Sequence, residues 1–338
     1  MKETGLQKYI DKLILFAHHI YSGDCLERWK IQMVTRKRLG RLYKDKGTRL
    51  ANPDYDVIFV ADEYYGFGGL ADRLRGIISL YDFCLSNDLS FGIYFNHPFK
   101  LSKYLEPNIV NWEVRSLDRN PDLSCPYLVD TPNTLKGGIA EYQKRRFEGI
   151  LDYKGIRQVH CYTNADLVDS PERFSSLFSA LFRPSAVLQR YVDDNKKNIG
   201  GSYISISFRF VQLLGDFKDC ISDTLPEEQQ KRLIEKCIDA IYKIHSMNFT
   251  PKVLVTADSQ KFLDYVSRID FAYVIPGKVA HLNYSEDDNA HLKTFVDFIM
   301  ISSAQKVYLA RMDKMFKSGF ARKAAMSSNV PFEEYIIK

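Results

Sequence analysis

The sequence predicts an α/β protein of two parallel-sheet domains whose strand ends face a common cleft. Three observations carry that expectation. Residues 56–95 read in turn as strand, glycine loop, helix and strand, a βαβ unit that needs a parallel pair and a right-handed crossover. Beyond residue 200, short runs rich in β-branched and aromatic residues again alternate with segments of helical apolar spacing. Between the two regions, Leu181-Phe182-Arg183-Pro184-Ser185 closes one helical pattern and opens another with proline in its first turn. This joint divides the chain into domains at 51–185 and 186–338, and 338 residues suffice for both.

A basic extension, residues 1–50, precedes the first domain. Leu6, Tyr9, Ile10, Leu13, Ile14, Ala17, Ile20 and Tyr21 keep helical spacing while Lys8, Asp11 and Lys12 fall on another face, so 4–21 should form an amphipathic helix. The extension holds 12 Lys or Arg against 5 Asp or Glu, and the chain as a whole is only +5. The remainder is therefore slightly acidic. Such a helix packs on the main body or lies on anionic membrane, the second aided by Lys30, Arg36, Lys37, Arg38, Arg41, Lys44 and Lys46. Nucleic acid is not an expected partner, because the basic run lacks interleaved aromatics and no nucleic-acid motif accompanies it.

In the first domain, Asn52-Pro53-Asp54 sets the boundary and 56–61 reads as a buried strand. The glycine loop ends at Gly68-Gly69, a helical pattern follows over 70–86, and 89–95 is the second strand. Short strands at 126–130 and 158–162 and a charged helix at 140–147 complete what can be parsed before the helices of 174–193. In the second domain, strands are expected at 202–208, 252–257, 272–275 and 307–310. Helices are expected at 226–245, from 260, at 291–304 and at 319–327. No internal repeat appears.

Composition excludes several classes. The apolar and charged fractions, 45% and 26%, are those of ordinary globular proteins. Cys25, Cys84, Cys125, Cys161, Cys220 and Cys237 form no CxxC pair and no zinc spacing, so they are expected as small buried hydrophobes in a reducing compartment. No run approaches 18 apolar residues and no signal peptide opens the chain, which points to a soluble cytoplasmic protein. Asp54-Tyr55-Asp56 precedes a strand and reads as a cap or surface pair rather than a metal-binding Asp-x-Asp; no metal is expected.

The chemistry collects at strand ends. The run Tyr203, Ile204, Ile206, Phe208 delivers Arg209 to a loop, the 252–257 strand delivers Asp258 and Ser259, and the 307–310 strand leads to Ser318-Gly319-Phe320. Carboxyl ends of strands in an open α/β sheet border one crevice. A diphosphate there would meet a bidentate guanidinium from Arg209 and the free N–H groups of a helix starting at Ser318, Gly319 and Phe320. Asp258 and Asp297 suit ribose hydroxyls or base N–H groups, although Asp258 or Ser259 would equally cap the helix that follows.

Taken in order, several segments resemble the fucosyltransferase superfamily, which includes α1,2-, α1,6- and protein O-fucosyltransferases. They are Gly68-Gly69-Leu70-Ala71-Asp72-Arg73-Leu74-Arg75, Leu181-Phe182-Arg183-Pro184-Ser185, Ile206-Ser207-Phe208-Arg209 and Val255-Thr256-Ala257-Asp258-Ser259. Asp297-Phe298 and the run from Ser318 to Ala325 complete the set, and the likeness covers roughly 56–336. It implies a GT-B-like fold of two Rossmann-like domains and a GDP-fucose donor, with a glycan hydroxyl as acceptor and no metal. It also implies that Arg209 holds the β-phosphate, Asp258 and Ser259 lie near the guanosine, Asp297 addresses the guanine, Ser318 meets the phosphates, and Gly68 and Gly69 face donor and acceptor. Two positions depart from the pattern: Ser207 stands where the family's His-x-Arg has histidine, and Asp72 where asparagine is usual.

The mechanism implied is a single inverting displacement. Arg209 and the Ser318 helix start stabilise the departing diphosphate, and Asp72 acts as base, with Asp62 or Glu63 next in line. Two rival classes remain open at this stage. Gly66-Phe67-Gly68-Gly69-Leu70-Ala71 fits a relaxed dinucleotide fingerprint, but the second strand ends in Phe95-Asn96-His97 without the acid a nicotinamide oxidoreductase needs for ribose. A catalytically silent nucleotide-sugar-binding protein is the other, favoured only by Ser207. The acceptor is not legible, because its contacts come from loops such as 97–150.

Overall fold

The computed structural model of the protein describes residues 33, 35–50, 52–64, 68–129, 138–217, 223–277, 287–312 and 314–338. The helix expected at 4–21, with Lys30, Gly66, Cys25 and Cys220, lies outside the described residues.

The first half runs β1 (Val57–Ala61), α1 (Leu70–Ser86), β2 (Phe91–Phe95), β3 (Leu105–Pro107), β4 (Ser124–Val129), α2 (Ile139–Glu148) and β5 (Gln158–Thr163). The sheet order is β2-β1-β5-β4, and every pair is parallel. Every residue of β1 is buried, which is why its sequence is a continuous apolar run rather than an alternating one. Helix α1 buries Leu74, Ile77 and Ile78 against this sheet. It comes so close that a Cβ on Gly76 would sit 2.3 Å from the Thr163 carbonyl oxygen. That glycine fixes how α1, and so its first turn, lies over the strand ends.

α3 (Pro171–Leu181), β6 (Phe182–Pro184) and α4 (Ala186–Ile199) connect the halves. Ser170 and Ser185 cap α3 and α4 by accepting from Arg173 N–H and Leu188 N–H. The second half runs β7 (Tyr203–Phe208), α5 (Glu227–Asn248), β8 (Lys252–Ala257), α6 (Gln260–Val266), β9 (Ala272–Tyr273), α7 (Asp288–Ser302), β10 (Val307–Arg311), α8 (Phe320–Ser327) and β11 (Phe332–Ile336). Its parallel sheet is ordered β11-β10-β7-β8-β9. Numbered within this half, that is the doubly wound order 3-2-1-4-5 read from the other edge, and the chain reverses its winding between β7 and β10. Ligands of such sheets bind outside the strand ends at that reversal.

Three apolar clusters build the interior. One lies between the two sheets and joins Phe59, Leu74 and Ile77 of the first half to Phe174 and Phe178 of α3, Phe295 and Phe298 of α7 and Ala321 and Ala324 of α8. The other two fill the outer faces, one around Ile204, Ile206, Ile241, Val255 and Phe262, the other around Ile58, Val60 and Tyr162. The halves therefore share a core, and an apolar interface of this kind holds the cleft walls in register.

Three features go beyond the sequence expectation. Leu39 and Tyr43 are buried on the outer face of the first sheet, and Asp45 accepts from Arg119 N–H at 2.8 Å, so residues 39–45 of the basic extension pack on this half. β3 and β6 form a two-stranded antiparallel pair that the sequence does not announce. β11 is an additional edge strand, whose Phe-Glu-Glu-Tyr-Ile carries two acids that pair with Lys306, Arg311 and Lys317 instead of a buried apolar run.

Candidate active site

One cavity of about 480 Å³ opens at the reversal point and is walled by both halves. Its floor is the end of β7. The strand carries Arg209 out of the sheet, and the arginine is anchored on every side: Asp258 Oδ2 lies 3.1 Å from its Nη1, the Phe217 ring centroid lies 4.7 Å from Cζ, and its carbonyl accepts from Phe316 N–H at 3.1 Å.

Asp258, at the end of β8, does more than pair with Arg209. Its two oxygens accept from the N–H groups of Phe210 and Val211, each at 2.7 Å. Those bonds hold Val211 at φ +56°, a left-handed conformation that a β-branched residue avoids. The carboxylate thus forces the turn that aims Arg209. Burial pushes the Asp258 carboxyl above the ordinary aspartate value, against the pull of Arg209 and the two N–H groups.

Ser207 lies on the cavity floor with its hydroxyl 2.7 Å from that of Thr256, its register partner on β8. Two small hydroxyls occupy the position where the resembling pattern has an imidazole. Ser259 lies elsewhere: it caps α6 through Phe262 N–H, donates to Asp216 at 2.9 Å, is fully buried and does not line the cavity.

The opposite edge is the first turn of α8. Ser318, Gly319, Phe320 and Ala321 line the cavity, and the Ser318 hydroxyl accepts from Phe320 N–H at 3.2 Å. A Cβ on Gly319 would meet nothing within 4 Å. Phe320 N–H is taken by Ser318, and Ser318 N–H by the Phe316 carbonyl at 3.0 Å; the other first-turn N–H groups have no intrahelical acceptor, so this edge still offers donors at a positive dipole end. Asp297 reaches the cavity from α7, and both its oxygens lie 2.6 Å from Lys293 Nζ. Burial raises its carboxyl as well, with Lys293 opposing.

The first half supplies Gly68, Gly69, Asp72 and Arg75. Gly68 adopts φ +70°, and a Cβ there would fall 2.5 Å from Asp72 Oδ2. That oxygen accepts from Gly69 N–H at 3.1 Å, while Oδ1 lies 3.0 Å from Arg75 Nη2. Asp62 is buried behind this loop. It accepts from Arg119 at 2.7 Å, Tyr64 N–H at 3.0 Å and the Tyr162 hydroxyl at 3.3 Å, and neither it nor the exposed Glu63 lines the cavity.

The structure therefore gathers Gly68, Gly69, Asp72, Ser207, Arg209, Asp258, Asp297, Ser318, Gly319 and Phe320 around one space and leaves out Ser259. Arg75, Phe217, Thr256, Lys293 and Lys317 were given no role from sequence. Arg75 has a local signal, three residues after an acid in a helix's first turn; Phe217 has none, because it meets Arg209 only through the loop's fold. Among the described residues no group of three or more His, Cys, Asp or Glu forms a set that could hold a metal ion, and no helix is long and apolar enough to cross a membrane.

This architecture is the GT-B-like fold of fucosyltransferases. The chain is similar to the α-1,6-fucosyltransferase NodZ soaked with GDP-fucose, with a TM-score of 0.53 and 16% identity over 83% of this chain and 94% of that one. It is equally similar to a mutant of Arabidopsis thaliana FUT1 in complex with GDP, with a TM-score of 0.53 and 13% identity over 99% of this chain and 80% of that one. NodZ from Bradyrhizobium gives a TM-score of 0.50 at 15% identity over 80% and 93% of the two chains. No protein-family model matches the chain, and no curated protein does.

Proposed function

We propose that the protein is a glycosyltransferase that takes its sugar from a nucleotide diphosphate sugar, with GDP-fucose as donor and a glycan hydroxyl as acceptor. The observation that carries this reading is the position of Arg209. It is a braced guanidinium at the end of β7, beside the first turn of α8, in the crevice where a doubly wound sheet binds nucleotides. The choice of GDP-fucose is supported by the ligands of the similar structures, GDP-fucose in one and GDP in another.

In the proposed reaction the acceptor oxygen attacks the anomeric carbon from the face opposite the diphosphate. A new carbon–oxygen bond forms as the bond to the β-phosphate oxygen breaks, inverting the centre through an oxocarbenium-like state. The acceptor's hydroxyl proton is taken up by the departing diphosphate, which leaves as GDP. Negative charge grows on the leaving diphosphate, where Arg209 and the first-turn N–H groups of α8 are already fixed in place, so little reorganisation is needed as the charge develops. The reading requires no metal for this step. The base is not assigned to Asp72, whose two oxygens are occupied by Gly69 N–H and Arg75.

Thermal-shift titration with GDP-fucose, other GDP- and UDP-sugars and NADH tests the donor. A ligand present at 100 times its Kd stabilises by about 2.7 kcal/mol, so a GDP-sugar should raise Tm and the others should not. A UDP-sugar or NADH giving the larger shift would sink the GDP assignment. Arg209→Ala should lose transfer by about 100- to 1,000-fold, the cost of removing one preorganised donor to developing charge; because it also leaves buried Asp258 with only its two N–H donors, a cooperative melt of the variant is the required companion measurement.

We also propose peripheral contact with the inner face of an anionic membrane, placing the enzyme in the cytoplasm. Lys37, Arg38, Arg41, Lys44, Lys46 and Arg49 are all exposed on a segment pinned to the body by Leu39 and Tyr43. Binding to phosphatidylserine vesicles that is lost in high salt, and absent with phosphatidylcholine, is the expected result.

A further inference from the structure

We propose that Arg75 is a second arginine of the anion site, reaching the diphosphate from the first half, and that Asp72 is the positioning residue that aims it. The inference rests on the nucleotide-sugar reading above and assigns the N-terminal wall of the cavity. Arg75 lines the same space as Arg209 but comes from α1, across the cleft. Its Nε donates to the Asn164 carbonyl at 2.9 Å, and its Nη2 meets Asp72 Oδ1 at 3.0 Å. A guanidinium has five N–H groups in a planar fork. These two bonds fix the plane of the fork and leave the rest of it for a ligand.

Asp72 is itself held. Its other oxygen accepts from Gly69 N–H, and the left-handed Gly68 leaves the space that oxygen occupies. The sequence Gly68-Gly69-Leu70-Ala71-Asp72-Arg73-Leu74-Arg75 therefore works as one device: glycine makes room for a carboxylate, the carboxylate caps the helix, and the capped carboxylate orients an arginine. Arg73 braces the same loop from below. It is buried, and it donates to the Gly68 carbonyl at 3.2 Å and to the His97 carbonyl at 2.8 Å.

The neighbourhood places Arg75 beside the phosphate-facing helix of the other half. Lys323 of α8 pairs with Asp166 at 2.6 Å and is buried. Burial holds its amine below the ordinary lysine value, and the nearby positive charges of Arg322 and Arg75 push the same way. Arg75 thus stands within electrostatic reach of α8. Each of these cations already holds a carboxylate, Asp72 or Asp166, so the positive end of α8 and Arg209 set the sign of the space between the helix starts, and an anion seated there meets the remaining N–H groups of Arg75 as well. An acceptor sugar would offer only neutral hydroxyls in return for the same crowding, so a phosphate is the ligand this arginine fits.

The experiment is a double-mutant cycle read by calorimetric binding of GDP, with inorganic pyrophosphate as a base-free probe. Arg75→Met should weaken GDP about 10- to 100-fold, the worth of a hydrogen-bonded charge, and should weaken pyrophosphate by a similar factor. Asp72→Asn should weaken both less, and the double variant should bind like Arg75→Met alone, because Asp72 acts through Arg75. In turnover, Asp72→Asn should raise KM more than it lowers kcat. If Asp72 were instead the base, that variant would lose kcat and the acid limb of the pH profile at unchanged GDP affinity. A cooperative melt in each variant, with Tm lowered by no more than the loss of a surface pair and a helix-end charge would give, shows that the fold is intact. Wild-type protein that fails to bind GDP would overturn the nucleotide-sugar reading itself. Wild-type binding that Arg75→Met leaves unchanged, or additive losses in the cycle, would overturn this inference alone.

Discussion

Both halves present a helix start and an arginine to the same cavity, yet they finish these parts with opposite chemistry. On α8 the N-cap is Gly319, without a side chain; the neutral Ser318 hydroxyl before it takes only Phe320 N–H, and no charge offsets the positive end of the helix. On α1 the cap is a carboxylate, Asp72, which already neutralises the helix end and passes the positive role to Arg75. The anchors differ too. Arg209 is braced by a buried carboxylate that also holds two backbone N–H groups, whereas Arg75 is braced by a carboxylate whose side chain is 38% exposed. The second half is therefore built as a fixed clamp, and the first as a softer arm facing it.

The sharpest way to break that contrast is to remove the charge of each anchor. Asp258→Asn removes the carboxylate charge beside Arg209 and turns an amide NH2 towards a buried backbone N–H, and a buried polar group left unsatisfied costs about 1–3 kcal/mol. Asp72→Asn breaks a surface pair and a helix-end charge, worth about 1 kcal/mol or less each. Urea unfolding midpoints of the two variants should differ accordingly. Equal losses would mean that the two anchors are equivalent and the distinction between clamp and arm is false.

Acid should expose a second difference. In the first half His160 is buried between Tyr43 and Gln158, with its Nδ1 2.7 Å from the Tyr43 hydroxyl and its Nε2 3.0 Å from Gln158 Oε1. Gln158 spends its amide on the carbonyls of Asn52 and Tyr55, so Oε1 must accept and Nε2 must carry the proton. Burial lowers the imidazole pKa to about 3, with Arg119 adding to the effect. The unfolded state then binds the extra proton first, so stability is full above about pH 6.5 and falls below it, by up to about 1.4 kcal/mol per pH unit. Asp258 acts in the opposite sense: its raised carboxyl favours folding as pH falls through the window above the ordinary aspartate value. Acid sensitivity should therefore centre on the first half. His160→Gln should be less stable at neutral pH yet show a flatter slope between pH 6.5 and 4; an unchanged slope would remove His160 as the cause.

Much of this arrangement was legible in the sequence, and the parts that were not have physical reasons. The spacing of Leu70, Leu74, Ile77 and Ile78 gave α1 with the ends observed, and continuous apolar runs gave β1, β7, β8 and β10, because buried parallel strands write themselves plainly. β11 was missed because an edge strand that pairs its acids with Lys306, Arg311 and Lys317 has no apolar run to read. Leu39 and Tyr43 do not announce their burial, because the cations around them mask two anchors. At the site, residue types at strand ends identified Arg209 and the α8 start. They could not show that Asp258 spends its oxygens on Phe210 and Val211, since nothing local to Asp258 encodes a bond to a turn 47 residues away.

The smallest expected effect separates the two helix starts most directly. A Cβ added at Gly69 or at Gly319 meets nothing within 4 Å, and neither residue needs a positive φ. Alanine at either position should therefore leave the fold intact and stabilise it by about 0.4–1 kcal/mol through the unfolded chain. Binding should respond differently. At Gly319 the methyl enters the space beside open N–H groups where a phosphate would sit, and losing one such contact weakens GDP about tenfold. At Gly69 the N–H is already spent on Asp72, so the methyl should cost less than a threefold change. A Gly319→Ala variant that is more stable and binds GDP more weakly, beside a Gly69→Ala variant that is more stable and binds almost as before, would place the phosphate on α8. Equal weakening would shift it to the midline between the helix starts and make Arg75 as central as Arg209.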